Sequence, residues 1–533
     1  MLEDYKLSMT TIAIVLFLLV VVTGLAEIAN SIKIPYPILL VLVGIGIGLI
    51  PHLPMMKLDP EVVFLIFLPP VLYAAAWATS WPDFKAAKRP ISLLAIGCVL
   101  FSTCAVAWVA HSFIPGFGWA EAFVLGAIIS PPDAVAATAA TKGLGVPRRV
   151  VTILEGESLV NDATGLIAYK YAIAAVISGS FVLWEAGLQF LWVASAGIAV
   201  GLITGQLFLW IHRITPDNPT TDTTLTFLAP YIAYLSAEAF HLSGVLAVVT
   251  AGLFLAWHST EVFPQQTRLQ ATGTWNTVLF ILNGLIFIFI GLQLPFILNS
   301  MHEYSIWELL LYGALVSATV IVGRIIWVYP GTYIPRLLSK KIRKNEPRPS
   351  LKLVTVVAWS GMRGIVSLAA ALALPLTING TEKFPNRNMI LFITFCVIFA
   401  TLVLQGLTMP SLIKWLGIKP DGREHDEEQE ARMRIASSVI EHIEENYSLL
   451  PDEVLNQVKT KYEIRIQRLR KDVQRKMDEA QFLEFQRIQQ ELIDRERKFI
   501  ITLRNEGKIS IEVLRRLEYE LDLEETRLIL ERA

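Results

Sequence analysis

The chain has little charge and almost no cysteine. Asp, Glu, Lys and Arg make up 17% of its 533 residues, against 54% hydrophobic residues, and the mean hydropathy is +0.52. That balance is too apolar for an ordinary soluble enzyme. The three cysteines, Cys98, Cys104 and Cys396, all lie in apolar runs. None has a CxxC or Cys/His partner at metal-ligand spacing, so no disulfide framework or zinc site is suggested, and they read as small packing residues. No HExxH motif occurs, and Gly156-Glu157-Ser158-Leu159-Val160 lacks the closing glycine of a nucleophile elbow, which argues against an intramembrane enzyme. A cleavage site is missing too: the leading residues Glu3 and Asp4 are acidic, and the first apolar run reads as a retained span rather than a signal peptide. No cofactor and no nucleic-acid partner are expected.

What charge there is falls unevenly. Residues 1–420 carry long apolar runs, whereas 421–533 are dense in Glu, Arg, Lys and Gln, so a membrane domain is expected to precede a helical cytosolic domain. Crossing a bilayer as a helix takes about 20 apolar residues. Thirteen candidate spans follow, at 9–29, 37–50, 62–79, 91–110, 122–140, 150–177, 186–210, 224–239, 244–257, 275–292, 307–333, 354–375 and 389–416. With the N-terminus outside, sixteen Lys and Arg fall in inside loops and three (Lys57, Lys383, Arg387) in outside loops, a strong positive-inside bias. An odd count also lets spans 1–6 and 8–13 run in opposite senses, the inverted-repeat plan of many secondary transporters.

The fifth helix of each half is interrupted. Ser130-Pro131-Pro132-Asp133 removes two backbone donors in mid-span, and Trp359-Ser360-Gly361-Met362-Arg363-Gly364 places breakers around a second charge. Each alone reads as a proline kink or a glycine packing site. At matching positions, each with a charge, they point to a transport site. The sixth span adds Glu157, Ser158, Asn161 and Asp162. Asp162 follows Ser158 by four residues and shares its helix face, while Glu157 points about 140° away. Burial favours the neutral form of a carboxylate and a bound cation favours the ionised form, so one such group can hold a proton or a cation in turn. Asp162 is the candidate for that role, with Asp133, Ser158 and the main-chain oxygens near Pro131 and Pro132 completing a hard oxygen site. Glu157 and Arg324 are expected to pair, and Arg363 to balance the half-helix ends. Lys170 reads as a snorkelling residue, Glu238 and His241 as interfacial or packing residues, and Asn283 as a helix–helix hydrogen bonder.

The segments SPPDAVAATAATKGLG, EGESLVNDATGL, YLSAEAFHLSGVLAVVTAGL and AWSGMRGIVSLAAALALP closely resemble the monovalent cation:proton antiporter-1 family, which includes bacterial NhaP-type antiporters and eukaryotic sodium/proton exchangers. The resemblance covers residues 10–416. It implies an all-helical, NhaA-like fold of about thirteen spans and a homodimer, with spans 4–6 and 11–13 as a moving core beside a dimerisation scaffold. Asn161-Asp162 matches the family's Asn-Asp pair, associated with electroneutral one-for-one exchange of Na⁺, Li⁺ or K⁺ for H⁺. Asp133, Glu157, Ser158, Arg324 and Arg363 match family positions as well, Asn161 and the carbonyl of Pro132 joining the expected ion site. One departure bears on selection among the alkali cations: Pro132 stands where NhaP-type members often have Thr, and Ala134 where they have Pro, so a threonine hydroxyl is missing from the site.

In the tail, helices are expected at Glu430 to Asn446, Pro451 to Arg470, on through Arg504, and from Ile511 after a break at Gly507 and a cap at Ser510. The tail reads as a small bundle or dimer contact before it reads as a regulatory domain, and its partner is not indicated. A cation channel is the rival function. It would share midplane polar groups but does not need opposed broken helices.

Overall fold

The computed structural model describes residues 2–32, 34–50, 61, 63–141, 144–179, 183–215, 217–299, 301, 305–346, 348–378, 382–418, 423–446, 459–460, 462–463, 476–506, 508 and 511–532. They form two compact units, Met1–Pro420 and Asp421–Ala533.

Among the described residues, the regular structure of the first unit is helical apart from one short hairpin, Thr377–Ile378 against Glu382–Lys383. Its main helices are α1 (Leu2–Ile32), α2 (Tyr36–Gly48), α3 (Val63–Ala78), α4 (Lys88–Phe113), α5 (Trp119–Ile129), α6 (Ala134–Thr141), α7 (Arg148–Ser178) and α8 (Leu183–Ile214). There follow α9 (Pro219–Ala239), α10 (Gly244–Val262), α11 (Gln265–Leu292), α12 (Ile306–Leu338), α13 (Leu351–Trp359), α14 (Ile365–Leu372) and α15 (Arg387–Trp415). Among the described residues, eight stretches are long and apolar enough to cross a membrane: most of α1, α4, α5 with α6, most of α8, α10, α11 with the turn after it, α12 and α15. The α2 and α3 helices are apolar but shorter. Three helices, α3, α4 and α15, contain a π turn, at Val63–Phe67, Leu93–Cys98 and Thr401–Gln405.

Among the helices that begin earlier than hydropathy indicates, α9 and α11 show why. The α9 helix starts at Pro219 because the Asn218 side chain accepts from the Thr220 and Thr221 amides at 3.0 and 3.2 Å, satisfying donors that every helix start leaves open. The α11 helix starts at Gln265; its polar first turns are eased by Thr272 and Thr274, whose hydroxyls donate back to carbonyls four residues earlier at 2.8 Å. A hydropathy window does not see either device.

Packing follows the small residues. Lipid tails are as apolar as leucine, so helices in a bilayer associate by close van der Waals contact. Along α8, Gly197, Gly201 and Gly205 recur every fourth residue, and a methyl on them would meet Ser243, Ala247 and Phe254 of α10 and the residue before it. Gly44 of α2 and Gly291 of α11 likewise lie against each other's backbone. A polar clamp ties the same region together: His212 Nδ1 lies 2.9 Å from Asp222 Oδ1, and Thr267 donates to Asp222 Oδ2 at 3.1 Å. It links the ends of α8, α9 and α11. Elsewhere Arg89 donates twice to Glu346, at 2.8 and 2.6 Å, tying the start of α4 to the loop before α13. The outward faces stay apolar, with Trp184, Trp192, Ile203 and Leu311 all more than 60% exposed, as lipid contact requires.

In the second unit the described helices are α16 (Arg423–Asn446), α17 (Lys476–Asn505) and α18 (Ile511–Arg532). The α16 helix extends past the expected start because its polar first turns are laced by Glu428–Arg432 and Glu430–Arg434 pairs, each a helical neighbour four residues on. Helices α17 and α18 bury Ile493, Ile500, Leu514 and Leu521 against one another, and Arg497 joins Asp522 and Glu525 at 2.9 and 2.7 Å. The helix expected over 451–470 lies almost wholly outside the described residues, as do Lys57, Gly507 and Ser510.

Candidate functional site

The site is built where two broken helices cross. Between α5 and α6 the chain runs unwound through Ser130, Pro131, Pro132 and Asp133, and between α13 and α14 through Ser360–Gly364. The two unwound segments touch directly: the Asp133 amide donates to the Met362 carbonyl at 2.7 Å. Breaking a helix exposes carbonyls at one new end and amides at the other, and inside a membrane these must find partners within the protein.

They do, largely through the charged residues. Arg363 donates to the carbonyls of Ile129 at 2.8 Å and Ser130 at 3.0 Å, at the C-terminal end of α5, and also to Gly361. Its own amide donates to Thr401 Oγ1 at 3.1 Å. Arg324 donates to the Val357 carbonyl near the end of α13, through Nε at 3.3 Å and a terminal nitrogen at 3.1 Å. Each arginine therefore sits at the negative end of a half-helix, where a cation is favoured. Both are 1% exposed. Arg324 also forms a fork-to-fork pair with Glu157, at 2.5 and 2.7 Å, the bidentate geometry that makes such pairs strong.

The amide end of α6 is met by acceptors. Asp133 Oδ1 accepts from the Val135 amide at 2.8 Å, and Ser158 Oγ from the Ala134 amide at 3.3 Å. Asn161 donates through Nδ2 to the Pro132 carbonyl at 2.8 Å, while its Oδ1 is buried without a partner among the described residues. Asn161 and Ser158 thus fasten α7 to the unwound segment. Asp162 differs from all of these. It is 6% exposed, and among the described residues its carboxylate has no hydrogen bond or ion pair.

What Asp162 faces is a cavity of about 850 Å³, counting the open space at its mouth. Its lining combines Pro131, Pro132, Asp133, Ser158, Asp162, Gly364 and Ser367 with the apolar Phe64, Phe67, Leu72 and Phe287. The structure thus brings Asp133, Ser158, Asp162 and Pro132 to one surface. It leaves Glu157 and Arg324 behind it, on the far side of α7, and Arg363 beneath the crossing. Glycine is required at 364 by close approach, because a methyl there would overlap the Asp133 carboxylate. Gly364→Ala is expected to slow transport on the order of 10²-fold by displacing that carboxylate, with a stability cost of about 1–3 kcal/mol. Transport assays on the purified variant, beside its melting curve, check this.

A family model described as sodium/hydrogen exchanger, transmembrane, matches residues 15–415. The chain belongs to the sodium/hydrogen exchanger family. It is accordingly a membrane-embedded, multi-pass transporter that exchanges cations for protons; it is not an enzyme, and the ions are cargo rather than cofactors. An uncharacterized Na⁺/H⁺ exchanger of Mycobacterium tuberculosis is 33% identical over 97% of this chain and 96% of its own length. A sodium, potassium, lithium and rubidium/H⁺ antiporter of Bacillus subtilis is 32% identical over 75% of this chain and 61% of its own. In fold, the exchanger is similar to the sodium proton antiporter MjNhaP1 of Methanocaldococcus jannaschii, with a TM-score of 0.62, 20% identity, and coverage of 77% of this chain and 99% of that one.

Several residues of this exchanger were not singled out by sequence. Thr401 supports the Arg363 backbone, and the His212–Asp222–Thr267 clamp joins three helix ends. Glu155 lines the same cavity as Asp162; their separation of seven residues, which returns to one helix face, was the signal. Lys170 lies 3.2 Å from Glu238, joining the far half of α7 to the end of α9. Asn283 lines the cavity.

Proposed function

We propose that the protein exchanges Na⁺, or Li⁺ or K⁺, for H⁺ electroneutrally and one for one, with Asp162 as the group that holds proton and cation by turns. The observation that carries this reading is the free Asp162 carboxylate, facing the same cavity as Asp133, Ser158 and the unwound Pro132 segment. A proton and a cation there compete for one charge, and exchange follows from that competition. Charge counting supports the stoichiometry. Leaving aside Glu155, about 10 Å further along α7, three acids, Asp133, Glu157 and Asp162, stand around the crossing against two arginines, Arg324 and Arg363. The surplus is one negative charge, which one proton or one monovalent cation neutralises. Neutral in both loaded forms, the site can cross a low-dielectric region with either cargo, and it resists crossing empty. The ligands are hard oxygens suited to alkali cations. The Bacillus relatives are named for several such ions, which supports a site that accepts more than Na⁺.

The same reading covers the architecture. Counting α5 with α6 and α13 with α14 as broken spans gives thirteen crossings, N-terminus outside and C-terminus inside, with the two interruptions in corresponding positions of an inverted repeat. The α4–α7 and α12–α15 segments would move as a core against the others in an elevator-type cycle, in a homodimer. Residues 1–420 would form the transport domain and 421–533 a cytosolic helical domain, its partner unidentified.

The test is proton flux in proteoliposomes carrying an interior pH dye, with Na⁺, Li⁺ or K⁺ added in turn and the voltage clamped or free. Cation-triggered pH change that ignores voltage is the expected result and names the ion. Cation flux that follows voltage and moves no protons would replace the exchanger with a channel.

A further inference from the structure

We propose that Glu155 recruits the transported cation into the cavity from the end at which α7 begins, as a positioning residue one step ahead of Asp162. This rests on the proposed exchange at Asp162 and adds to it a route of access.

Three observations converge. Glu155, Ser158 and Asp162 are spaced three and four residues apart and fall within about 60° on α7, and all three line the cavity. Glu157, only two residues from Glu155, lies on the opposite face and is consumed by Arg324. The two acids of the Glu-Gly-Glu run therefore have separate surroundings, and Glu155 is the one open to the cavity. Second, it is half-buried, and among the described residues no ion pair or hydrogen bond engages it. The basic group on its own face, Arg148 two turns earlier, pairs with Asp83 at 3.2 Å and attracts Glu155 only at longer range. Third, the seven residues between Glu155 and Asp162 correspond to a rise of about 10 Å. Much of the rest of the lining is apolar, including Phe64, Leu68 and Leu72 of α3. A carboxylate facing low-dielectric walls focuses its field along the cavity and raises the local concentration of cations. At about 10 Å it is too far to share a dehydrated cation with Asp162, and near enough to pass on a hydrated one.

Such a residue affects capture rather than turnover. In proteoliposomes of the full-length protein at low ionic strength, Glu155→Gln is expected to raise KM five- to tenfold for the transported alkali cation presented at the Arg148 side. The maximal rate should stay within twofold, and KM from the opposite side should not move. Choline chloride, which screens without being carried, should erase the difference, and Glu155→Asp should restore most of the affinity. An unchanged KM from the Arg148 side, or equal loss from both sides, overturns the inference. Failure of the underlying reading looks different: wild-type protein would move no protons with any alkali cation, or Asp162→Asn would transport as well as wild type. A melting curve for Glu155→Gln matching the wild type excludes a folding defect as the source of any change.

Discussion

Asp162→Asn is expected to abolish exchange, by 10²-fold or more on the order-of-magnitude scale of removing a group central to a buried charge site, while leaving the protein folded. The substitution is nearly isosteric and costs no hydrogen bond or ion pair, because among the described residues the Asp162 carboxylate makes none. What disappears is the charge for which proton and cation compete. With asparagine in place, the crossing holds two acids against two arginines, a balance that no longer calls for a monovalent cation. Cation-driven proton flux, read beside size-exclusion and melting profiles, checks both halves of the expectation. A folded variant that still exchanges would remove Asp162 from its role. Loss of fold would mean that the carboxylate carries structure the contacts do not reveal.

Arg324→Ala should act in the opposite way, on stability before activity. The guanidinium serves Glu157 and the Val357 carbonyl together. Its removal leaves a buried carboxylate, 1% exposed, and an open half-helix end. Breaking one side of a buried pair costs about 3–5 kcal/mol, enough to lower yield and melting temperature sharply in a marginally stable protein. Glu157→Gln combined with Arg324→Met should recover much of this, since the deficit lies in the orphaned charge rather than in the pair's net worth. Melting of the single and double variants in one detergent gives the coupling directly. A single variant that melts with the wild type would show that Glu157 finds another partner.

The helix interruptions were legible because their chemistry is local. Pro131 and Pro132 remove two amide donors beside a charge in mid-span, whereas Pro69 and Pro70 of α3 follow a π turn and are accommodated; Gly361 and Gly364 around Arg363 mark the second break. Eight spans were legible for the same reason, as runs of apolar residues that are long and apolar enough to cross a membrane among the described residues. The starts of α9 and α11 were not, since a side-chain cap and threonine back-bonding hide polar turns from hydropathy. Nor could the sequence say which carbonyls the arginines serve: Arg363 reaches Ile129 across 234 residues of chain and Arg324 reaches Glu157 across 167. The His212–Asp222–Thr267 clamp fails for a related reason. Each member lies at the end of a helix, where a polar residue ordinarily faces water, and only tertiary packing buries all three. Glu155 is a different case. Its spacing from Asp162 places both on one helix face, but only tertiary packing makes that face line the cavity.

The central claim is that one carboxylate holds either a proton or a cation. Purified protein in weakly buffered detergent solution tests it most directly, with Na⁺, Li⁺ or K⁺ added and the released protons counted against the cation bound. The account predicts about one proton released per cation by the wild type, and neither saturable binding nor release by Asp162→Asn. Cation binding without proton release would contradict it, because the two cargoes would then occupy separate sites.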